Sequence, residues 1–131
     1  MRGNAIILAL CLLAALPLTG CNRAAAQTDG QMVRLAKLEI YPAQLAAYTA
    51  ALEEEAKASV ALEPGVLTLY AVSEKERPTH FTILEIYADR AAYEKHIKSP
   101  HFIKYKKRTE KMVKSLELID AVPVVPLMKI K

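Results

Sequence analysis

The chain has 131 residues, 53% of them apolar, and a formal net charge of +4. That length fits one domain. Four glycines with no glycine-rich phosphate loop argue against a nucleotide cofactor, and neither a nucleophile elbow nor a Cys-His pair is present; so mild a basic excess, without a recognisable binding motif, argues against nucleic acid as a partner.

Residues 1–20 read as a lipoprotein signal peptide. Arg2 supplies a positive start, and residues 5–16 form an apolar run too short to span a bilayer comfortably. Leu18-Thr19-Gly20-Cys21 then resembles a bacterial lipoprotein cleavage site, with Cys21 as the lipidated N-terminus. An ordinary secretory peptide or an uncleaved anchor is the alternative. Removing residues 1–20 leaves 111 residues and a charge of +3. Cys11 leaves with the leader and Cys21 carries lipid, so the folded part has no disulfide and no thiolate metal site. Residues 21–31 are polar and Ala-rich, a flexible tether, and residues 32–131 form the folded domain. Asn22 after Cys21 is not the aspartate associated with inner-membrane retention, which favours attachment to the outer membrane on its periplasmic face.

Residues 32–40 alternate Arg34, Ala36, Leu38 and Ile40 against Val33, Leu35, Lys37 and Glu39, the period of a strand. Pro42 suits a first helical turn. Leu45, Tyr48, Leu52, Ala56 and Val60 recur at helical spacing, with Glu53-Glu54-Glu55 expected outward. Glu63-Pro64-Gly65 stops that helix. Residues 66–73 and 80–87 read as strands joined by a charged turn. Asp89 caps a short helix through Lys98. Ser99 and Pro100 begin another, with Phe102, Tyr105, Thr109, Met112, Val113 and Leu116 on one face. Residues 118–130 are apolar and extended, and Pro123 and Pro126 confine them to an edge or an outward arm.

This order is the split βαβ arrangement of α+β, ferredoxin-like domains with an antiparallel sheet. Helices cover one face of such a sheet. Yet the second strand is apolar on both alternating sets, as is the third with Phe81, Ile83 and Tyr87 against Leu84 and Ile86. A face left to water is expected to be polar, so a second cover is required, most simply a twofold partner. A homodimer is expected. Between positions 95 and 114 eight lysines and arginines face a single acid, Glu110. This is either a solvated helix face or a patch that meets anionic lipid headgroups or an anionic substrate.

Among candidate chemical groups, His96 follows Ala92 by one helical turn and is expected to face the sheet. It is either a core-edge histidine bonded to a backbone carbonyl or a general base lining a pocket. His101 sits where packing at a helix start explains it, and His80 is expected to be exposed. His96 and His101 are five apart across the Ser99-Pro100 break, so the helical two-histidine metal spacing is absent and no metal site is expected. The tyrosines, Tyr48, Tyr70 and Tyr87 among them, suit core positions or the walls of an apolar cavity that needs a few hydroxyls. Glu85, in mid-strand, is the acid expected to be partly buried.

Glu63-Pro64-Gly65 with its strand, Glu85-Ile86-Tyr87-Ala88-Asp89, Ala92-Tyr93, His96 and Ser99-Pro100-His101-Phe102 together resemble the antibiotic biosynthesis monooxygenase domain over residues 33–122. The resemblance implies a dimeric α+β barrel. It also implies oxidation of a small quinol or phenol by O₂ with no cofactor, although the family includes haem-degrading enzymes and an isomerase. In the haem-degrading branch a tryptophan stands at position 96 and a haem-ligating histidine at position 106. This chain has His96 and Lys106 and lacks that branch's first-strand asparagine, which disfavours haem. In the implied reaction the substrate loses a proton, passes an electron to O₂ and recombines with it. Ionising a phenol near neutrality requires about 3 pKa units, or ~4 kcal/mol. One hydrogen bond to a charged oxygen supplies ~1.5–3 kcal/mol, so His96 as base or donor needs help from a cation, Lys106 or Lys37, or from Tyr48 or Tyr70. Tyr70, Glu85, Tyr87 and Phe102 complete the expected substrate site. A non-catalytic binding lipoprotein for a small apolar or quinone-like ligand is the alternative.

Overall fold

The computed structural model describes residues 30–127. The expected leader, Cys21, most of the tether and the end of the C-terminal segment lie outside them. Four strands, β1 (Met32–Ile40), β2 (Val66–Ser73), β3 (His80–Tyr87) and β4 (Val113–Ala121), and three helices, α1 (Leu45–Leu62), α2 (Arg90–His96) and α3 (Pro100–Thr109), follow one another as β1-α1-β2-β3-α2-α3-β4. A single 3₁₀ turn at Pro42–Gln44 leads into α1. The sheet runs β2-β3-β1-β4 with every neighbour antiparallel. This is the α+β, ferredoxin-like arrangement that the order of elements implies.

The stripe that α1 buries is Tyr48, Ala51, Leu52, Glu55 and Ser59. Its three- and four-residue spacing is that of one helical face. It packs on the alternate residues Ala36, Leu38, Ile40, Phe81 and Ile83 of the two central strands. Glu55 belongs to this stripe and is 5% exposed, so it does not point outward with Glu53 and Glu54. Gly65 lets the α1–β2 corner approach α2 closely, since a Cβ there would lie 2.5 Å from the Ala92 Cβ.

Two helix ends differ from expectation. α2 stops at His96, not Lys98, because the extended backbone that Ser99 needs before Pro100 (ψ 148°) interrupts the helix. α3 stops at Thr109, and Met112, Val113 and Leu116 are not on its face. Residues from Val113 onward instead pair with β1, from Ile40↔Val113 to Val33↔Ala121. The last strand therefore begins five residues before the expected position. Its pairing with β1 outweighs the apolar spacing that suggested more helix.

Among the described residues, no helix covers the second sheet face. Register places Leu35 opposite Leu84, and Leu84 opposite Tyr70, on that side. Tyr70 and Val72 are 66% and 48% exposed there.

Candidate active site

Between the helices and the sheet lies a cavity of about 100 Å³. Ala36, Leu38, Leu69, Ile83, Ile97 and Phe102 provide apolar walls, and Arg34, Glu55, Glu85, Tyr87, Tyr93, His96 and Lys106 the polar groups. Lys106, Leu116 and Leu118 line it while remaining exposed, and so mark its mouth. An engineered apolar cavity of ~150 Å³ takes up benzene. By that measure this space is scaled to a single ring.

The strand period sets the polar groups. Arg34 shares the helix-facing side of β1 with Ala36 and Leu38, and Glu85 shares that of β3 with Ile83 and Tyr87. The Arg34 guanidinium donates to Asp120 Oδ1 at 2.7 and 2.9 Å and to the Tyr93 hydroxyl at 2.7 Å, and it lies 4.6 Å from the Tyr93 ring centre. Burial opposes its charge, but these two partners outweigh burial and hold the pKa above its usual value. Burial raises the Glu85 carboxyl. The hydrogen bond that Tyr87 Oη donates at 3.0 Å and the charge of Arg34 offset this only in part. Burial likewise pushes the Tyr87 hydroxyl far above the usual phenolic range, with Glu85 adding to the shift. Tyr87 therefore serves as a neutral donor.

His96 ends α2, and its ring packs against Tyr87 and Phe102 at centroid distances of 5.4 and 4.8 Å. Its Nδ1 lies 3.0 Å from Glu63 Oε1, and its Nε2 faces Glu55 Oε1 at 3.7 Å. Ser59 Oγ donates to the same Glu55 oxygen at 2.6 Å. Burial raises the Glu55 carboxyl against that bond and the nearby histidines. His101 Nε2 meets Glu63 Oε1 at 2.5 Å. At Glu63 burial acts upward, but the bonds from His96 and His101 prevail and lower its pKa. Glu63, His96 and His101 each offer a ligand atom, all within 4.8 Å of one another, and are the described residues best suited to hold a metal ion. The Ser99-Pro100 break, which abolishes helical two-histidine spacing, is what folds the two rings together.

Of the residues singled out in the sequence, His96, Glu85, Tyr87, Phe102 and Lys106 meet at the cavity. Tyr48 does not line it. Its ring packs edge-on to Phe81 in the core, and its hydroxyl pairs with that of Tyr105 at 2.8 Å. Tyr70 and Lys37 are exposed on the opposite face of the sheet, as their register with Leu84 and Thr82 requires. His80 is half-buried, with Nδ1 3.3 Å from the Thr79 hydroxyl. Arg34, Glu55 and Glu63 were missed. The first two carried a legible signal, a charge standing in an otherwise apolar strand set and an acid on the buried helical stripe; Glu63 gave none.

A ferredoxin-like sheet with a small, partly polar cavity beneath its helices defines an α+β domain able to enclose one small molecule. The model of the antibiotic biosynthesis monooxygenase family matches residues 32–108, and the chain belongs to that family. It is 59% identical to a candidate antibiotic biosynthesis monooxygenase of Bacteroides thetaiotaomicron of solved structure, covering 79% of this chain and 99% of that one with a TM-score of 0.77. A candidate monooxygenase of Lactobacillus acidophilus is 32% identical over 72% of this chain, with a TM-score of 0.71, but the match spans only 45% of that protein. A third relative, from Caulobacter crescentus, is 25% identical over 72% of this chain and 92% of that one, with a TM-score of 0.65. No curated protein matches.

Proposed function

We propose that this domain is a monooxygenase that oxidises a small single-ring quinol or phenol with O₂, using no resident cofactor. One observation carries the reading: a ring-sized cavity with apolar walls into which a half-buried carboxylate, Glu85, is set, its pKa raised by desolvation and its hydrogen bond made to the Tyr87 hydroxyl. A carboxylate shifted toward neutrality is suited to general-base work. Both nitrogens of His96 are directed at carboxylates, so the proton-accepting role passes from His96 to Glu85, and His96 contributes a wall.

Glu85 takes the phenolic proton, and Arg34 and Lys106 supply positive charge near the resulting phenolate. The phenolate passes one electron to O₂, and the two radicals recombine at a ring carbon. The ring peroxide so formed takes the proton back from Glu85; its O–O bond then breaks as the same ring carbon loses its hydrogen, so one oxygen stays on the ring as a quinone oxygen and the other leaves as water, the quinol or phenol supplying all four electrons. The reading places the domain on a lipid anchor at Cys21, on the periplasmic face of the outer membrane, because Leu18-Thr19-Gly20-Cys21 has the lipoprotein pattern. Cys21→Ala then moves the protein from the membrane fraction to the soluble fraction.

Oxygen uptake is measured with a panel of single-ring hydroquinones, with chelator present and no flavin. Uptake of one O₂ per quinol consumed is expected, and Glu85→Gln abolishes most of it. No uptake with any member, while the quinols still bind, overturns the reading in favour of a binding lipoprotein.

A further inference from the structure

We propose that Glu63, His96 and His101 form a binding site for a divalent transition-metal ion, Zn²⁺ being the natural probe. Three different elements deliver the ligands: Glu63 caps the end of α1, His96 is the last residue of α2, and His101 is the second of α3. The cofactor-free reaction uses His96 only as a wall of the cavity, and assigns Glu63 and His101 no part.

The chemistry of the set selects the ion. Two imidazoles and one carboxylate suit first-row ions such as Zn²⁺ and Fe²⁺ and not the all-oxygen shells of Mg²⁺ or Ca²⁺. Tetrahedral bonds of ~2.0–2.1 Å place ligand atoms ~3.3 Å apart. The three ligand atoms already lie within 4.8 Å of one another, so side-chain rotations close the site. Three protein ligands leave a coordination position open, and His101 and Glu63 are only half-buried, which leaves an entry path.

The surroundings are those of a metal ligand. A ligating histidine commonly directs its other nitrogen at a carboxylate that fixes the ring. His96 Nε2 faces Glu55 Oε1 at 3.7 Å, and Glu55 is itself held by Ser59 at 2.6 Å. The His96 ring is further fixed between Tyr87 and Phe102. Two carboxylates thus converge on one buried imidazole from opposite sides, and a dication bound there balances both. It would also tie α1, α2 and α3 together at one point.

The purified protein is titrated calorimetrically with Zn²⁺, and with Co²⁺ followed by its visible absorption. One ion per chain in this site, a Co²⁺ band of nitrogen and oxygen ligands, and a higher thermal midpoint with Zn²⁺ are expected. Glu63→Gln and His101→Ala each weaken binding by 100-fold or more while circular dichroism shows the fold retained. His80→Ala, outside the cluster, leaves it unchanged. Binding that is absent, or that survives both Glu63→Gln and His101→Ala, overturns the proposal. Ion binding does not rest on the quinol reading: chelator-resistant oxygen uptake and Zn²⁺ affinity can each fail without the other.

Discussion

At the residue scale, burial sets the protonation of Glu85, the proposed base. Its folded pKa is raised, so between the unfolded and folded values the native state binds more protons than the unfolded chain does. The sign follows: the group's contribution to stability is greatest at low pH and falls as pH rises through that window. Activity runs the other way, because only the ionised carboxylate accepts a proton. We expect kcat/KM for quinol oxidation to rise with pH through the raised Glu85 pKa. Glu85→Gln removes this limb, lowers kcat/KM by ~10²–10⁴-fold, and leaves thermal stability at neutral pH equal or higher. A pH profile of both proteins, with melting curves at each pH, checks all three outcomes. An unchanged profile in the variant would assign the base elsewhere.

At the scale of elements, the α1–β2 corner positions Glu63, and Gly65 allows the corner to approach α2. A methyl group at Gly65 would meet the Ala92 Cβ at 2.5 Å. Gly65→Ala therefore destabilises by ~1–3 kcal/mol through overpacking. Adding Ala92→Gly removes the facing methyl and restores part of the loss, less the ~1 kcal/mol that glycine costs inside a helix. Denaturant melts of the two single variants and the double variant test this, since additive losses would place the strain elsewhere. The same contrast explains what was legible in the sequence. Strand alternation at Arg34–Ile40 and the helical spacing of Leu45, Tyr48 and Leu52 repeat locally, so the fold and the first half of the buried stripe could be read from them; beyond Leu52 the stripe turns to Glu55 and Ser59, and Val60, expected inside, is 53% exposed. The Asp89 and Ser99 caps were equally readable, each accepting a bond from a backbone N–H three residues on. Glu63 could not be read, because its partners are 33 and 38 residues away and meet it only after two corners have folded. Tyr70 and Lys37 were misplaced for a related reason: period two separates two faces but does not say which one the helices cover.

At the scale of the whole molecule, the uncovered sheet face sets the next expectation. Leu35, Leu84, Ile86, Tyr70 and Val72 form an apolar surface across three neighbouring strands, with Lys37 to one side. Beyond β4, Val122, Val124, Val125 and Leu127 are each at least 71% exposed. Proline at 123 and 126 removes backbone donors from that segment and keeps it from extending a sheet regularly. We expect a twofold partner laid sheet to sheet to cover the apolar face with its own copy of the same residues, the two apolar arms lying across the opposing protomers. We expect a dimer at micromolar concentration by sedimentation velocity. Leu84→Arg, at the centre of the face, places two like charges against each other across the twofold axis and gives a folded monomer. Truncation after Ala121 weakens association while leaving the secondary structure intact. The cavity lies on the helix side of the sheet, so a folded Leu84→Arg monomer is expected still to bind a single-ring quinol. If the wild type sediments as a monomer, the face requires a different cover; if Leu84→Arg remains dimeric, the partner sits elsewhere.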